Sequence, residues 1–187
     1  MRALIVFLLV GALMLSAGCE GEQGPVGPSG NANVVTGTIT PVNEDWLWSA
    51  YYWFSTTANS STGYFTRYVD IPVAEIDSDI IASGVVLVSF QARENTDPWT
   101  PLPMQFDNGT GNYLYNVVYE YWEGMIRLHF FIMPNTPGVT WPDMENWNIA
   151  TYTFKYTVIE GNLLESMEAG GVDVTDHGRV TEYLAGH

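Results

Sequence analysis

The sequence predicts an all-β fold: a single antiparallel β-sandwich of about seven to nine strands, with one or two short helices, one of them near the C-terminus. Segments rich in β-branched and aromatic residues recur along the chain, and such residues favour strands. Turn-forming residues separate these segments at the spacing that sandwiches show. The single cysteine among 187 residues allows no intramolecular disulfide, so a hydrophobic core must stabilise the domain.

The strand-like segments can be placed individually. Seven are expected, at 33–40, 45–56, 64–73, 85–92, 112–122, 125–133 and 149–160. A further short strand is expected directly before the turn at 107–109. In the last segment, aromatic and aliphatic residues alternate with threonines and Lys155, which predicts one buried face and one solvent-facing face. We interpret most of the aromatic residues as core.

One hairpin has a register that the sequence specifies. With Glu123-Gly124 as a two-residue turn, Trp122 pairs with Met125 and Glu120 lies opposite Arg127. This register places opposite charges across from each other, and a slip of one residue would lose that pairing. It also collects six apolar residues on one face: Val117, Tyr119, Tyr121, Ile126, Leu128 and Phe130.

Two short helices are expected. Asp77 is placed to cap a helix of one or two turns that ends at Gly84. Near the C-terminus, apolar residues recur at helical spacing within 175–186. We interpret the aspartates in 77–79 and 173–176 as helix caps, with calcium ligands as the alternative.

The N-terminus has the pattern of an export signal. Arg2 precedes an apolar run at 3–15, which is too short to span a bilayer, and small residues lead to Cys19. The pattern resembles the lipobox of bacterial lipoproteins. The resemblance implies a signal peptide at 1–18, cleavage before Cys19 and a diacylglycerol on its sulfur. An ordinary secretory signal followed by a free cysteine is the alternative.

A glycine- and proline-rich tether is expected at 19–33, before a β-sandwich domain at 34–187. Its glycines recur at every third position, at Gly21, Gly24, Gly27 and Gly30, which is the collagen repeat. Three triplets favour an extended spacer, with a trimerising remnant as the alternative. A spacer of polyproline-like geometry would reach about 45 Å.

The charge balance restricts the partners. The chain has a formal net charge of −15 at pH 7, and Lys155 is its only lysine. Because phosphate contacts require basic side chains, we expect no nucleic-acid partner and no anionic lipid headgroup. A neutral ligand, a cationic ligand or a protein surface fits the composition.

The sequence contains no catalytic signature. No nucleophile elbow, zinc-binding helix motif, phosphate-binding loop or dinucleotide glycine pattern is present. We expect His129 to be a solvated or half-buried strand residue, and His177 and His187 to be solvated. We therefore predict a non-enzymatic protein without catalytic residues, metal or cofactor. A hydrolase is the rival hypothesis, and it predicts a cleft in which two carboxylates converge, or His129 and an acid.

Three tryptophans on proline-containing loops are the candidate binding residues. These are Trp99, Trp141 and Trp147, and the carboxylates of Asp143 and Glu145 lie close in sequence to the last two. Exposed rings beside polar groups suit sugar binding, and tryptophan is also enriched at protein interfaces. The third interpretation of these tryptophans is that each ring covers an open end of the sandwich.

The order of these motifs resembles a family. A lipobox and a Gly-X-Y tether are followed by "NANV" (31–34), "DIIASGVVLVSF" (79–90), "WTPLP" (99–103), "YWEGMIRLHF" (121–130) and "YTFKYTVIEG" (152–161). The chain is similar to small bacterial lipoproteins with a collagen-like leader and one β-rich domain, a family without an assigned activity.

From the resemblance and the residues together we predict a lipoprotein anchored by its N-terminal lipid to the bacterial outer membrane, at the cell surface. Its expected role is that of an interaction or accessory module whose partner is another envelope protein. Recognition of a surface glycan by the loop tryptophans is the alternative.

Overall fold

The computed structural model describes residues 34–93, 98–107 and 109–185. Within them, nine strands form two antiparallel sheets, which confirms the predicted fold class. The expected signal peptide, Cys19, the tether and His187 lie outside the described residues. None of the described helices is both long enough and apolar enough to cross a bilayer.

The strands are β1 (Val34–Ile39), β2 (Leu47–Thr57), β3 (Ser60–Pro72), β4 (Val85–Gln91), β5 (Thr100–Pro101), β6 (Met104–Asp107), β7 (Tyr113–Trp122), β8 (Met125–Pro134) and β9 (Thr153–Ile159). The helices are α1 (Ser78–Ser83), α2 (Gly161–Ala169) and α3 (His177–Ala185), and a 3-10 turn spans Asn43–Asp45. The first sheet has the order β1-β9-β4-β5, and the second has the order β2-β3-β8-β7-β6. Each predicted strand and both predicted helices are present, whereas α2 was not predicted.

The predicted register of the β7–β8 hairpin is confirmed. Trp122 pairs with Met125, and Glu120 lies opposite Arg127. The guanidinium of Arg127, however, forms its two short hydrogen bonds with Asp70 of β3, at 2.6 and 2.7 Å. Five of the six residues expected on one face are buried or pack against the core; Tyr121, near the end of the hairpin, is 37% exposed.

The core lies between the two sheets and contains aromatic rings from both. Trp46 makes edge-to-face contacts with Phe130 of the second sheet and Phe154 of the first, at centroid distances of 6.2 and 6.1 Å. The hydroxyl of Tyr119 donates a hydrogen bond to the carbonyl of Val86 across the interface, at 2.8 Å. Aromatic packing and this polar link therefore join the sheets.

The outer face of β9 is not the solvent-facing surface that alternation predicted. Thr157 is buried and Ile159 is fully buried. A second apolar cluster covers this part of the first sheet: Leu87, Ile159, Leu163, Met167 and Val180. Since these residues come from β4, β9, α2 and α3, the unpredicted helix α2 is the reason that the expectation was wrong.

Candidate functional site

The β2–β3 hairpin is an uncharged region of a strongly acidic chain. Residues 47–66 contain no acidic, basic or histidine side chain, although the net charge of the chain is −15. β3 pairs with β8 only from Arg67 to Pro72, so its first half pairs with β2 alone. The part of the hairpin around its turn is therefore a two-stranded ribbon that extends beyond the rest of the sheet.

One side of this hairpin carries four exposed aromatic residues, which we call the aromatic face: Trp48, Tyr51, Trp53 and Phe65. Trp53 is 56% exposed and Phe65 is 50% exposed. The ring of Tyr51 lies 4.0 Å from that of Phe65 and 5.0 Å from that of Trp53, measured between centroids. The rings thus pack against one another while remaining accessible to a partner.

Gly63 allows the aromatic face to lie flat on the hairpin. Trp53 and Gly63 are cross-strand partners, and a Cβ atom at Gly63 would lie 2.7 Å from the Trp53 ring. The indole therefore covers bare backbone. Our interpretation of the aromatic residues as core was wrong for this hairpin, because an uncharged and aromatic-rich segment such as 47–66 is what a buried hairpin would also show.

On the opposite side of the hairpin, aromatic rings pack against side chains of β8 in the same sheet. The rings of Tyr52 and Tyr64 stack on Phe131, with centroids 5.9 and 5.0 Å apart. Tyr52 also contacts the ring of His129, at 5.5 Å. This packing covers part of the sheet that alternation alone would leave to solvent.

His129 is completely buried, so the expectation of a solvated or half-buried residue was wrong. The hydroxyl of Thr66 lies 2.8 Å from Nδ1, and Nε2 lies 3.1 Å from a carboxylate oxygen of Glu120. With the hydroxyl donating to Nδ1, Nε2 carries the ring proton and donates to Glu120. Burial lowers the pKa of His129 below its ordinary value, although the hydrogen bond that the imidazole donates to Glu120 opposes this shift.

The Thr66–His129–Glu120 chain contains the residue types of a nucleophile, a base and an acid. Thr66 is fully buried, however, and its hydroxyl lies between the imidazole and the carbonyl of Ala50. A nucleophile must reach its substrate, so this arrangement suits a structural polar link.

A cleft of about 680 Å³ lies beside the aromatic face. It is bounded by β3 around Tyr64, by the end of β8 and by the loop at 141–145. Six side chains determine its chemistry: Trp48, Tyr64, Phe65, Trp141, Asp143 and Glu145. The cleft therefore combines aromatic rings with two carboxylates, and the residues that line it include no basic side chain.

Hydrogen bonds hold the loop that carries Trp141. The hydroxyl of Tyr113 donates to the carbonyl of Thr140, at 2.9 Å. Both the backbone and the side-chain amide of Asn146 donate to the carboxylate of Asp143, and these bonds lower the pKa of Asp143. These bonds hold the carboxylate of Asp143, which lines the cleft, in place as a hydrogen-bond acceptor.

The structure places the three predicted tryptophans in different environments. Trp141 is 61% exposed and lines the cleft. Trp147 is partly buried and packs edge-on against Tyr115, at 6.1 Å, as a ring covering the core would. Trp99 lies on the first sheet, where the Lys155 ammonium is 4.6 Å from its ring centroid.

Two of the four aspartates considered as calcium ligands, Asp77 and Asp176, serve as helix caps. Asp77 accepts hydrogen bonds from the backbone amides of Asp79 and Ile80, both at 3.0 Å. Asp176 accepts from the amides of Gly178 and Arg179 at the start of α3. In the part of the chain that the structure describes, no group of three or more metal-ligating side chains is placed to hold an ion.

No family model matches the chain, and neither the curated proteins nor the solved structures include a significant match.

Proposed function

We propose that this protein is a lipid-anchored, non-enzymatic interaction module of the bacterial cell surface, and that the aromatic face is where it contacts another envelope protein. The observation that supports the proposal is the exposure of Trp48, Tyr51, Trp53 and Phe65 together on an uncharged hairpin. Contiguous apolar patches of this kind mark interaction sites on soluble domains.

The residue types suit a protein partner. Tryptophan and tyrosine dominate the binding energy of protein interfaces because they bury a large area with few rotatable bonds. Tyr51 already packs against Phe65 and Trp53, so binding would immobilise little additional side-chain freedom. The lack of charge on the hairpin also avoids the cost of burying unpaired ions.

Asp143 and His129 do not fit the role of the general acid that the hydrolase hypothesis requires in the cleft. Cleavage of a glycosidic bond requires a general acid whose pKa is raised. Asn146 instead lowers the pKa of Asp143. The other group named by the hydrolase hypothesis, His129, is buried with Glu120 and Thr66 and does not line the cleft.

Site-specific photocrosslinking in native membranes tests the proposal. A photoreactive amino acid in place of Trp53 should capture one defined envelope protein, whereas the same amino acid in place of the exposed Glu165 on α2 should not. Trp53→Ser should reduce recovery of that partner about tenfold or more, as expected for loss of an interface anchor.

Trp122→Ser, which removes an exposed tryptophan at the β7–β8 turn, is the matched control. Equal capture from positions 53 and 165, or capture from neither, would contradict the proposal.

A further inference from the structure

We propose that the cleft beside the aromatic face binds an uncharged oligosaccharide, with Trp141 as the stacking platform and Asp143 and Glu145 as hydroxyl acceptors. This site includes Trp48 and Phe65 of the aromatic face, whereas Tyr51 and Trp53, the other two residues of that face, do not line the cleft. Its volume of about 680 Å³ lies within the range of small-molecule sites.

The aromatic residues supply the apolar part of the site. Trp141 is 61% exposed, and its ring lies 6.4 Å from that of Tyr64, measured between centroids. Phe65 and Trp48, whose rings are 5.7 Å apart, line the same cleft. The C–H groups of a pyranose ring pack well on such surfaces, because the electron-rich face of an aromatic ring attracts their partial positive charge.

The polar residues select for hydroxyl groups. A carboxylate can accept hydrogen bonds from two neighbouring hydroxyls of one sugar. The two hydrogen bonds from Asn146 lower the pKa of Asp143, and Glu145 is exposed two residues further along the same loop. Thr62 adds a hydroxyl to the lining of the cleft.

Charge excludes acidic sugars from this cleft. Its lining contains two carboxylates and no basic residue. Arg67 lies on β3 near the cleft, but its guanidinium is buried and donates to Asn43 and to backbone carbonyls. A uronic acid or a phosphorylated sugar would therefore meet like charge without a compensating cation.

The loop is held in place before a ligand binds. Tyr113 fixes the carbonyl of Thr140, directly before Trp141, and Arg67 donates to the carbonyl of Trp147 at the other end. Because these contacts already restrict the loop, ligand binding would cause only a small further loss of conformational entropy.

The test uses the purified full-length protein on an array of neutral and acidic oligosaccharides, followed by calorimetry with the strongest neutral ligand. We expect binding to neutral oligosaccharides and none to uronic-acid or phosphorylated ones. Trp141→Ala should weaken the affinity at least about tenfold and Trp141→Phe should restore part of it, since either ring provides a face. Trp122→Ala should leave the affinity unchanged.

Absence of any neutral ligand, equal binding of acidic sugars, or wild-type affinity in Trp141→Ala would each overturn the proposal. Trp53→Ser distinguishes the two proposals because Trp53 does not line the cleft: it should reduce recovery of the partner about tenfold or more and preserve sugar binding. Loss of only one of the two activities therefore identifies which proposal fails.

Discussion

The guanidinium of Arg67 lies 3.0 Å from the side-chain oxygen of Asn43, and the two residues together fix three segments of the chain. Arg67 also donates to the backbone carbonyls of Asn43, Trp46 and Trp147. The same Asn43 oxygen accepts from the backbone amide of Ile149, at 2.9 Å. This buried node connects the entry to β2 with the loop that carries Trp141, so it supports both candidate surfaces.

We expect Arg67→Met to lower the free energy of unfolding by about 3 kcal/mol, because it leaves buried carbonyl oxygens without donors. Urea denaturation measures this change. Arg179→Met removes a guanidinium that is exposed and lies 3.9 Å from Asp176, so it should cost less than about 1 kcal/mol. Equal effects of the two substitutions would show that the node does not stabilise the fold.

His129 should make stability depend on pH. Because burial lowers its pKa in the folded state, the unfolded chain binds the proton first as pH falls through about 6.5. Stability should therefore decrease as pH falls from 7 to 5, by up to about 1.4 kcal/mol per pH unit, until the folded state also becomes protonated. The charges of Glu120 and Asp70 raise the pKa of the imidazole, and the charge of Arg127 lowers it.

The measurement is the difference in unfolding free energy between the wild type and His129→Gln at each pH. Both chains contain the same carboxylates, so the contributions of these groups to the pH dependence largely cancel in this difference. It should shrink as the pH is lowered, because the variant lacks the imidazole that takes up the proton on unfolding. A difference that stays constant between pH 7 and 5 would contradict the proposed role of burial.

Local signals explain which parts of the structure the sequence could predict. The β7–β8 register follows from a two-residue turn in which Gly124 adopts φ +77° and from the opposite charges of Glu120 and Arg127. The cap at Asp77 is equally local. By contrast, the N-cap residue of α2, Glu160, makes no side-chain capping hydrogen bond, so the usual start signal is absent.

Burial depends on contacts between distant segments, and here the sequence-based interpretation failed. Alternation assigned His129 to one face of β8, but Tyr52, which covers it, comes from a strand far away in the sequence. The same argument applies to Tyr51 and Phe65. Their residue types are those of a core, and they are exposed on the part of the hairpin that lies beyond the end of β3–β8 pairing at Arg67.

Gly63→Ala tests whether the bare backbone beneath Trp53 organises the aromatic face. The added methyl group would lie 2.7 Å from the indole, so the ring must move away from the hairpin. We expect the indole N–H resonance of Trp53 to shift in a two-dimensional NMR spectrum, with a stability change below about 1 kcal/mol because the ring is exposed. The resonance is assigned by its loss in Trp53→Ser. An unchanged Trp53 signal, or an equal shift of Trp122, would show that Gly63 has no such role.

The helical layer on the first sheet should contribute to stability although it was not predicted. Met167 of α2 is fully buried against Ile159 and Leu87. Met167→Ala removes its packing and leaves a cavity, so we expect a loss of about 2–4 kcal/mol in urea denaturation. Glu168→Ala, at the exposed neighbouring position, should change the free energy of unfolding by less than about 0.5 kcal/mol. If both variants unfold like the wild type, α2 is not packed on β9, and the outer face of β9 is the solvent-facing surface that its alternating sequence predicts.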